Sequence, residues 1–469
     1  MSKLDFPVRA VILAAGQGKR MKSSKPKVLH EVLGSTIIER LIASVGTAGV
    51  EHAHLVIGHG AEQVESYLES RKPDLPYSTH LQEPQLGTGH ALMQVVPALS
   101  GFKGCLFVTV GDEPLLRTET IEELCRQHKE SGSVVTVLST IVPDAKNYGR
   151  IVRDGAGNVV KIVEDREACD AEKAIHEINS AIYCFSWPEI EEGLTGLKND
   201  NNQKEYYLTD LVFWAREKGL KLSAMIAEDY REVAGINSRL ELSEVWRHLR
   251  DRTNTRLALE SGVTIVDPAS TWIAPEVRIG QDSVVYPNTT ITGDVEIGPD
   301  CVIGPGAVIR GKVRIGGGSS VIQSVVLDSV LGANCKVGPF AHVREGNDVG
   351  DGVRVGNFVE LKKCTIGNKT NVSHLSYVGD TKIGSHANIG AGTITANYDH
   401  LTKTKSSTVI GDGASTGSNS VIVAPVEIGD EAVVAAGSVV TRPVPSGALA
   451  VGRARQENKL GWSDRRKGK

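Results

Sequence analysis

The chain has 469 residues, and its 52 Lys and Arg nearly balance 56 Asp and Glu, for a net charge of −4. That length accommodates about two to four domains. A balanced charge without basic clusters argues against nucleic-acid and anionic-membrane binding, and no apolar run approaches the roughly 20 residues of a membrane span.

At the amino end, Met1 to Pro7 is too short and polar to serve as the apolar core of a signal peptide. At the other end, Arg465-Arg466-Lys467 reads as a solvated terminus. Seven scattered cysteines without a CxxC pair fit reduced thiols in a cytoplasm.

The apolar run Ala10 to Leu13 predicts a short buried strand, and Ala14-Ala15-Gly16-Gln17-Gly18-Lys19-Arg20-Met21 follows it. Glycines where a strand becomes a loop let backbone N–H groups meet phosphate oxygens, and Arg20 and Lys27 add positive charge. A Walker loop would require Gly and Ser/Thr where Leu13 and Arg20 stand, and a dinucleotide fingerprint would require Gly at Met21. An ordinary glycine turn remains the alternative.

To about Leu220, apolar runs at Val11–Leu13, His54–Ile57, Cys105–Val110, Val134–Thr140 and Ala181–Phe185 alternate with helical patterns. The helices fall at Ile37–Val45, Glu62–Leu68, Thr118–Lys129 and Leu208–Lys218. This alternation predicts a mostly parallel sheet covered by helices, with ligands at the strand carboxyl ends. Two further loops belong there. The amide-rich Gln82-Glu83-Pro84-Gln85-Leu86-Gly87-Thr88-Gly89 is suited to reading a base edge, or is a plain polar turn. Asp112, just after a strand, suits Mg²⁺, which takes oxygen ligands, or caps a helix starting near Leu115.

Together with Glu205-Tyr206-Tyr207-Leu208-Thr209-Asp210, these strings resemble the sugar-1-phosphate nucleotidyltransferases. More narrowly, they are similar to the pyrophosphorylase half of the bifunctional enzymes that make UDP-N-acetylglucosamine. The resemblance implies a Rossmann-like domain over residues 1–236. In it, Leu13, Ala14, Ala15, Gly16, Gln82, Gly87 and Thr88 contact the uridine nucleotide. Arg20 and Lys27 neutralise phosphates, Asp112 and Asn237 hold Mg²⁺, and Gly149, Glu164 and Asn179 bind the amino sugar. From the residues alone, Glu164 is a solvated turn residue and Asn179 a strand-end cap. Val110 departs from the polar or aromatic residue common beside the Asp. The implied reaction is in-line attack of a sugar phosphate on UTP, which requires positioning and charge neutralisation without a protein nucleophile.

Residues 237–262 read as a linking helix, capped by Ser238 and carrying a partly apolar face of Leu240, Leu242, Val245, Trp246 and Leu249.

Over 263–469 an aliphatic residue returns every six positions, first at Ile273, Ile279, Val285, Ile291, Ile297, Ile303, Ile309, Ile315 and Val321. The phase shifts and resumes at Leu331, at Ile366, at Ile383 and at Ile410. Period six predicts a hexapeptide β-helix in which Gly or a small residue after the aliphatic permits the corner, and the phase slips read as loops leaving the coil. Exposed strand edges favour oligomerisation. The largest departure, Ala396 to Thr408, contains Asn397-Tyr398-Asp399-His400, and His374 and Tyr377 share one coil that requires neither.

Gly356 to Lys363, the His374 coil, Ile389 to Thr393 and Asn397 to Asp399 are similar to the acetyltransferase half of the same bifunctional enzymes. The resemblance implies a left-handed helix, a homotrimer, and His374 as the base that deprotonates the glucosamine amine attacking acetyl-CoA. Imidazoles exchange protons near neutral pH, as this role requires. It further implies that Arg344, Lys362, Tyr377 and Asn388 hold the sugar phosphate. Asn397 and Tyr398 position the reacting groups, and Ala391, Ser418, Ala436 and Arg453 bind acetyl-CoA across a subunit interface. His400 replaces a common Gly, and two extra residues precede Ile410, so the coenzyme phosphate contact falls to Lys403 with Lys405 as rival.

The implied whole is a cytoplasmic enzyme that acetylates glucosamine-1-phosphate and then uridylates it, giving UDP-N-acetylglucosamine for envelope polysaccharides. One alternative is a single-function nucleotidyltransferase with a structural trimerising helix, which has no need of His374, Tyr377 and the Asn397 loop. Another is a non-catalytic regulatory homologue, which has no need of Arg20, Lys27 and Asp112.

Overall fold

The computed structural model describes residues 4–145, 148–201 and 203–467, so the first three residues of Met1–Pro7 lie outside it. The chain divides into two compact units, Met1–His248 and Leu249–Lys469.

In the first unit the strands are β1 (Val8–Leu13), β2 (His52–Ile57), β3 (Tyr77–Leu81), β4 (Gly104–Val110), β5 (Val135–Ile141), β6 (Arg150–Arg153), β7 (Val159–Val163), β8 (Glu177–Trp187) and β9 (Leu222–Ala227). They form one sheet in the order β9-β5-β8-β4-β1-β2-β3, with β6 and β7 as a hairpin beside β8. Pairing is parallel throughout β4-β1-β2-β3 and between β5 and β9. The long β8 runs antiparallel between β4 and β5. An apolar run carries no sign of strand direction, which is why this inversion is invisible in the sequence. The α-helices of six or more residues are α1 (Ile37–Thr47), α2 (Ala61–Arg71), α3 (Thr88–Met93), α4 (Thr118–Ser131) and α5 (Asp210–Glu217), followed by α6 (Arg239–Glu260).

Helix α1 shows why the expected elements form. Thr36 and Glu39 make a capping box, and Ile37, Ile38, Leu41, Ile42 and Val45 recur at helical spacing on the buried side. Ile38, Leu41, Ile42 and Val45 pack with Ile121 and Leu124 on one sheet face, while Leu92, Leu211 and Val212 cover the other. A sheet covered on both faces requires the nearly continuous apolar strands that the sequence shows. Helix α6 departs from expectation at Leu240, which is 66% exposed, whereas Val245 and Leu249 are buried.

A histidine cluster links β2 and β3. His54 Nδ1 lies 2.9 Å from Ser78 Oγ and 3.1 Å from His80 Nε2, and His52 Nε2 lies 3.1 Å from the same hydroxyl. Burial first, then the charges of His52, His80 and Arg9, push His54 down to about 3. Its neutral form therefore stabilises the fold fully above the unfolded value of about 6.5, and this contribution is lost as pH falls toward 3 because the unfolded chain binds the proton. In urea denaturation, His54→Asn is expected to flatten the pH dependence of stability between about pH 6.5 and 4, by at most about 4 kcal/mol.

In the second unit, three parallel sheets of 11, 10 and 9 strands form the faces of a coil. The aliphatic series from Ile273 to Val434 is buried as its periodicity requires. The phase slips are mostly not loops leaving the coil. Ile309 stacks on Val326 and Val349 on Ile366, one turn apart with a residue missing at a corner, so the ladder continues unbroken. Only the stretch before Ile410, which stacks directly on Ile383, carries a true excursion. There Tyr398–Asp399 pairs antiparallel with Thr404–Lys405.

Two features explain the repeat more fully than its period. A second column, of small residues at most repeats, lies two positions before the aliphatic, among them Ser283, Cys301, Ala307, Ser319, Cys335 and Thr370, all buried. Their hydroxyls bridge coils: Ser283 Oγ donates to the Gly298 carbonyl at 3.0 Å and accepts from the Cys301 N–H at 3.0 Å. The glycine after the aliphatic serves close approach and not the corner itself: at Gly298 a Cβ would lie 2.6 Å from the Gly317 nitrogen. The left-handed backbone falls two residues later, at Asp282, Asp300 and Asn334.

Candidate active sites

In the first unit, Leu13 stands at the carboxyl end of β1, in register with Val56 of β2 and Val110 of β4. The chain leaves between these neighbours, the point where a parallel sheet opens a crevice. The Ala14 N–H donates to Val56 O at 2.8 Å, the Gly111 N–H to Leu13 O at 2.8 Å and the His59 N–H to Ala15 O at 3.3 Å, which secures the loop. Nothing lies within 4 Å of a Cβ placed on Gly16, so its face is open to a ligand.

Lys27 closes one side of this crevice. Its Nζ is ion-paired with Asp112 Oδ2 and lies 3.4 Å from Asn237 Oδ1. Asn237 is brought there by the Ile236 N–H, which donates to Asp112 O at 3.0 Å, and by Glu241, which accepts from the Asn237 N–H at 2.7 Å. A carboxylate and an amide oxygen thus converge on one cation, an oxygen-only donor set of the kind hard divalent cations take. Asp112 does not cap a helix, since α4 begins at Thr118 after Arg117.

On the opposite side the amide-rich loop docks onto the Glu205–Asp210 string. Tyr206 N–H donates to Leu86 O at 2.8 Å, Gly89 N–H to Tyr206 O at 2.8 Å and Leu208 N–H to Thr88 Oγ1 at 3.1 Å. Buried Gln82 donates through Nε2 to Gly87 O at 2.9 Å. Leu13 to Gly16, Lys27, Gln82, Gly87, Thr88 and Asp112 line a cavity of about 280 Å³.

It adjoins a second, of about 790 Å³, through the shared Leu13, Thr88, Val110 and Glu205. Arg20, Glu164 and Asn179 line this larger cavity. Asn179 precedes a bulge in β8 against β5, with Ala181 at φ 61°, and its Nδ2 donates to Tyr183 Oη at 2.8 Å. Gly149 lies behind: its carbonyl accepts from the Asn179 N–H at 2.8 Å, and its Cβ position is 3.6 Å from Glu164 Oε1. The wall is rich in acid. Burial first, then Glu167 and Asp210, holds Glu164 above the usual carboxylate range, and burial followed by Glu167 and Asp200 pushes Asp210 up to about 6. Such a wall suits hydroxyl donors, while Lys27 and Arg20 suit anions.

In the second unit, His374 ends a strand in register with Asn357 one coil away, and its Nδ1 lies 2.7 Å from Asn357 Oδ1. With an amide oxygen as partner, Nδ1 carries the hydrogen and Nε2 keeps its lone pair. Tyr377 stacks on Glu360 and Lys362 on Gly379 in the adjoining sheet. Arg344 bonds Glu360 at 3.0 Å, and Lys362 bonds Glu345 at 3.4 Å. Over Gly379, the Tyr377 hydroxyl and Asn397 Nδ2 come within 2.5 and 2.7 Å of a Cβ position, and Asn397 Nδ2 donates to Asp380 Oδ2 at 2.5 Å.

Asn388 stands on the same sheet as His374, in the next strand, stacked on Asn371. Ala391, Ser418 and Ala436 follow one edge of the coil: the Asn419 N–H donates to Ala391 O, the Gly437 N–H to Ser418 O, and Arg453 Cδ is 3.9 Å from the Cβ position of Gly437. On the ribbon, Tyr398 is 55% exposed. Lys405 Nζ reaches Asp380 at 3.9 Å, whereas Lys403 is exposed with φ 56°.

Residues 10–146 match the MobA-like NTP transferase domain, and 276–311 and 407–442 match the bacterial transferase hexapeptide. The chain is 48% identical over 460 residues to the bifunctional protein GlmU of Pelotomaculum thermopropionicum, covering 98% of this chain and 99% of that one. It is 47% identical over 460 residues to GlmU of Geobacillus thermodenitrificans, covering 98% of each, and 44% identical over 455 residues to GlmU of a Synechococcus species, covering 97% and 99%. This chain belongs to the GlmU family. It is a bifunctional transferase whose nucleotidyltransferase fold is followed by a left-handed parallel β-helix.

In this chain several residues at the two sites escape sequence reasoning. Tyr183, Glu205 and Thr209 line the larger cavity. Tyr183 lies in an apolar strand and gives no polar signal, whereas Glu205 and Thr209 stand inside a motif read only as a string. Asn357, Glu360 and Asp380 hold His374, Arg344 and Asn397 from 16 or 17 residues away. One coil of the helix explains that separation, so counting one turn back from His374 and Asn397, and one turn forward from Arg344, would have found them.

Proposed function

We propose that this chain makes UDP-N-acetylglucosamine by two separate reactions, acetyl transfer from acetyl-CoA to glucosamine-1-phosphate and then uridylyl transfer from UTP. The observation that carries the reading is the pairing of two built sites in one chain. Lys27, Asp112 and Asn237 converge beside a crevice of neutral backbone and amide groups. His374 is fixed by Asn357, and the adjoining sheet carries Lys362 and Tyr377, with Arg344 on Glu360.

For uridylyl transfer, Gln82, Gly87 and Thr88 read the base, Leu13 to Gly16 approach the nucleotide, and Gly149, Glu164 and Asn179 hold the amino sugar. The convergent oxygens of Asp112 and Asn237 would hold Mg²⁺, which when bound neutralises charge developing on the triphosphate. Lys27 then leaves those oxygens for the phosphates, where Arg20 joins it. The sugar phosphate attacks in line and pyrophosphate departs, so the protein's work is orientation and charge neutralisation.

For acetyl transfer, Nε2 of His374 takes a proton from the glucosamine amine as nitrogen attacks the thioester, and coenzyme A leaves. Arg344, Lys362, Tyr377 and Asn388 hold the sugar phosphate, and Asn397 and Tyr398 position the reacting groups. Ala391, Ser418, Ala436, Arg453 and Lys403 hold acetyl-CoA. Lys403 takes this role over Lys405 because Lys405 is directed to Asp380. The hexapeptide repeat, with its exposed strand edges, supports an oligomer, which we take to be a homotrimer. Domain assignments follow: 1–236 uridylyltransferase, 237–262 linker, 263–469 acetyltransferase.

The reactants are charged and soluble, no described helix is long and apolar enough to cross a membrane, and we assign the enzyme to the cytoplasm, without membrane or nucleic-acid partners.

The half-reactions test this reading separately. Glucosamine-1-phosphate with acetyl-CoA is expected to release free coenzyme A thiol, and N-acetylglucosamine-1-phosphate with UTP to release pyrophosphate. Chelation by EDTA is expected to stop only the second. Failure of either release in folded protein removes that activity. Gly87→Ala probes the base side: at φ 99° its Cβ would lie 2.7 Å from Tyr206 O. Its KM for UTP is expected to rise about tenfold or more, with acetyl transfer unchanged.

A further inference from the structure

The first unit contains three buried thiols that neither activity uses. Cys105 on β4, Cys125 on α4 and Cys184 on β8 are free and buried, and their sulfurs lie within 4.8 Å of one another. Cys125 and Cys184 Sγ are 3.6 Å apart. Ligands on a zinc-type ion, with Zn–S near 2.3 Å, sit roughly 3.8–4.0 Å from each other, so these sulfurs need little movement to share one ion.

We propose that Cys105, Cys125 and Cys184 form a binding site for one soft, thiophilic divalent cation of the zinc and cadmium class. The three residues lie 20 and 59 positions apart along the chain, so no motif spacing reveals them. They come together because β4 and β8 pair antiparallel and α4 packs on that face of the sheet. A cavity of about 510 Å³, lined by Lys103, Cys105, His128 and Lys129, reaches the cluster through Cys105 and supplies an entry path. His128 is not a fourth ligand in this arrangement: its Nδ1 lies 2.8 Å from Thr136 Oγ1 and its Nε2 3.2 Å from Ser186 Oγ.

Three sulfurs without a fourth protein ligand favour soft ions over Mg²⁺, which takes oxygen. Binding replaces the thiol protons, which pass to solvent, and no electron is transferred. The site is separate from the uridylyltransferase crevice, because Cys105 opens β4 while Asp112 follows its far end, about 20 Å away at strand spacing. A bound ion would pin β4, β8 and α4 together.

The test is titration of the reduced full-length chain with Cd²⁺, reading the thiolate-to-cadmium charge-transfer absorption. Wild type and Cys169→Ser, which removes the exposed thiol, are expected to saturate at one equivalent, and Cys125→Ala and Cys184→Ala to lose that band. X-ray absorption of Zn²⁺-loaded wild type provides a reading that needs no variant, and a sulfur-dominated first shell is expected. No band in folded wild type, an unchanged band in both alanine variants, or a shell of oxygen and nitrogen alone overturns the proposal and leaves the thiols as core packing.

Discussion

Asp112→Ala is expected to lower uridylyl transfer by at least about 10²–10³-fold while acetyl transfer continues at the wild-type rate. Asp112 is where the first site concentrates its charge. Lys27 pairs with it, Asn237 reaches the same ammonium, and the Asp112 carbonyl receives the Ile236 N–H that carries Asn237 there. Removing the carboxylate leaves a single amide oxygen for the cation, which is too few for a site that shares Mg²⁺ with substrate phosphates. The backbone bond to Ile236 survives the substitution, so the loss falls on chemistry more than on folding. Pyrophosphate release measures one activity and coenzyme A thiol release the other, in the same preparation. A wild-type rate of pyrophosphate release from Asp112→Ala would remove the metal assignment.

His374→Ala is expected to show the reverse pattern, with acetyl transfer down by about 10²–10⁴-fold and uridylyl transfer intact. The side chain is exposed, and its ring is held by Asn357 one coil away, so truncation leaves the aliphatic core of the helix untouched. Asn357→Ala separates orientation from base chemistry. It keeps the imidazole and removes the partner that fixes its tautomer, so a smaller loss is expected, carried by kcat more than by KM. Equal losses in both variants would mean that His374 and Asn357 act as one unit, and a wild-type rate of acetyl transfer from His374→Ala would mean that the base lies elsewhere.

The fold class was legible because each half repeats a simple environment. Strands buried on both faces read as continuous apolar runs, and each coil of the helix returns an aliphatic to the same narrow interior. What stayed hidden depends on direction or on register. The apolar residues of β8 do not reveal that it runs antiparallel. The small-residue column at Ser283, Cys301 and Ala307 mixes hydroxyl, thiol and methyl groups, so a hydrophobicity period passes over it. The slip at Val321 looked like a loop because a missing corner residue and an inserted excursion disturb a six-residue count alike; only the pairing of Ile309 with Val326 distinguishes them. At the sites, glycine, amide and charged strings marked the loops, but the residues that hold them came from other turns of the chain. Asp380 beside Asn397 and Asn357 beside His374, each one coil away, are the clearest cases.

The central claim is that one chain performs both transfers at independent sites. Its most direct measurement supplies glucosamine-1-phosphate, acetyl-CoA, UTP and Mg²⁺ to purified protein and follows UDP-N-acetylglucosamine. Wild type is expected to form it, Asp112→Ala to stop at N-acetylglucosamine-1-phosphate, and His374→Ala to leave glucosamine-1-phosphate unacetylated. Separately purified Asp112→Ala and His374→Ala proteins, mixed together, are expected to restore the product through diffusion of the acetylated intermediate. No product from that mixture, with each variant folded and competent in its remaining half-reaction, would contradict two independent sites.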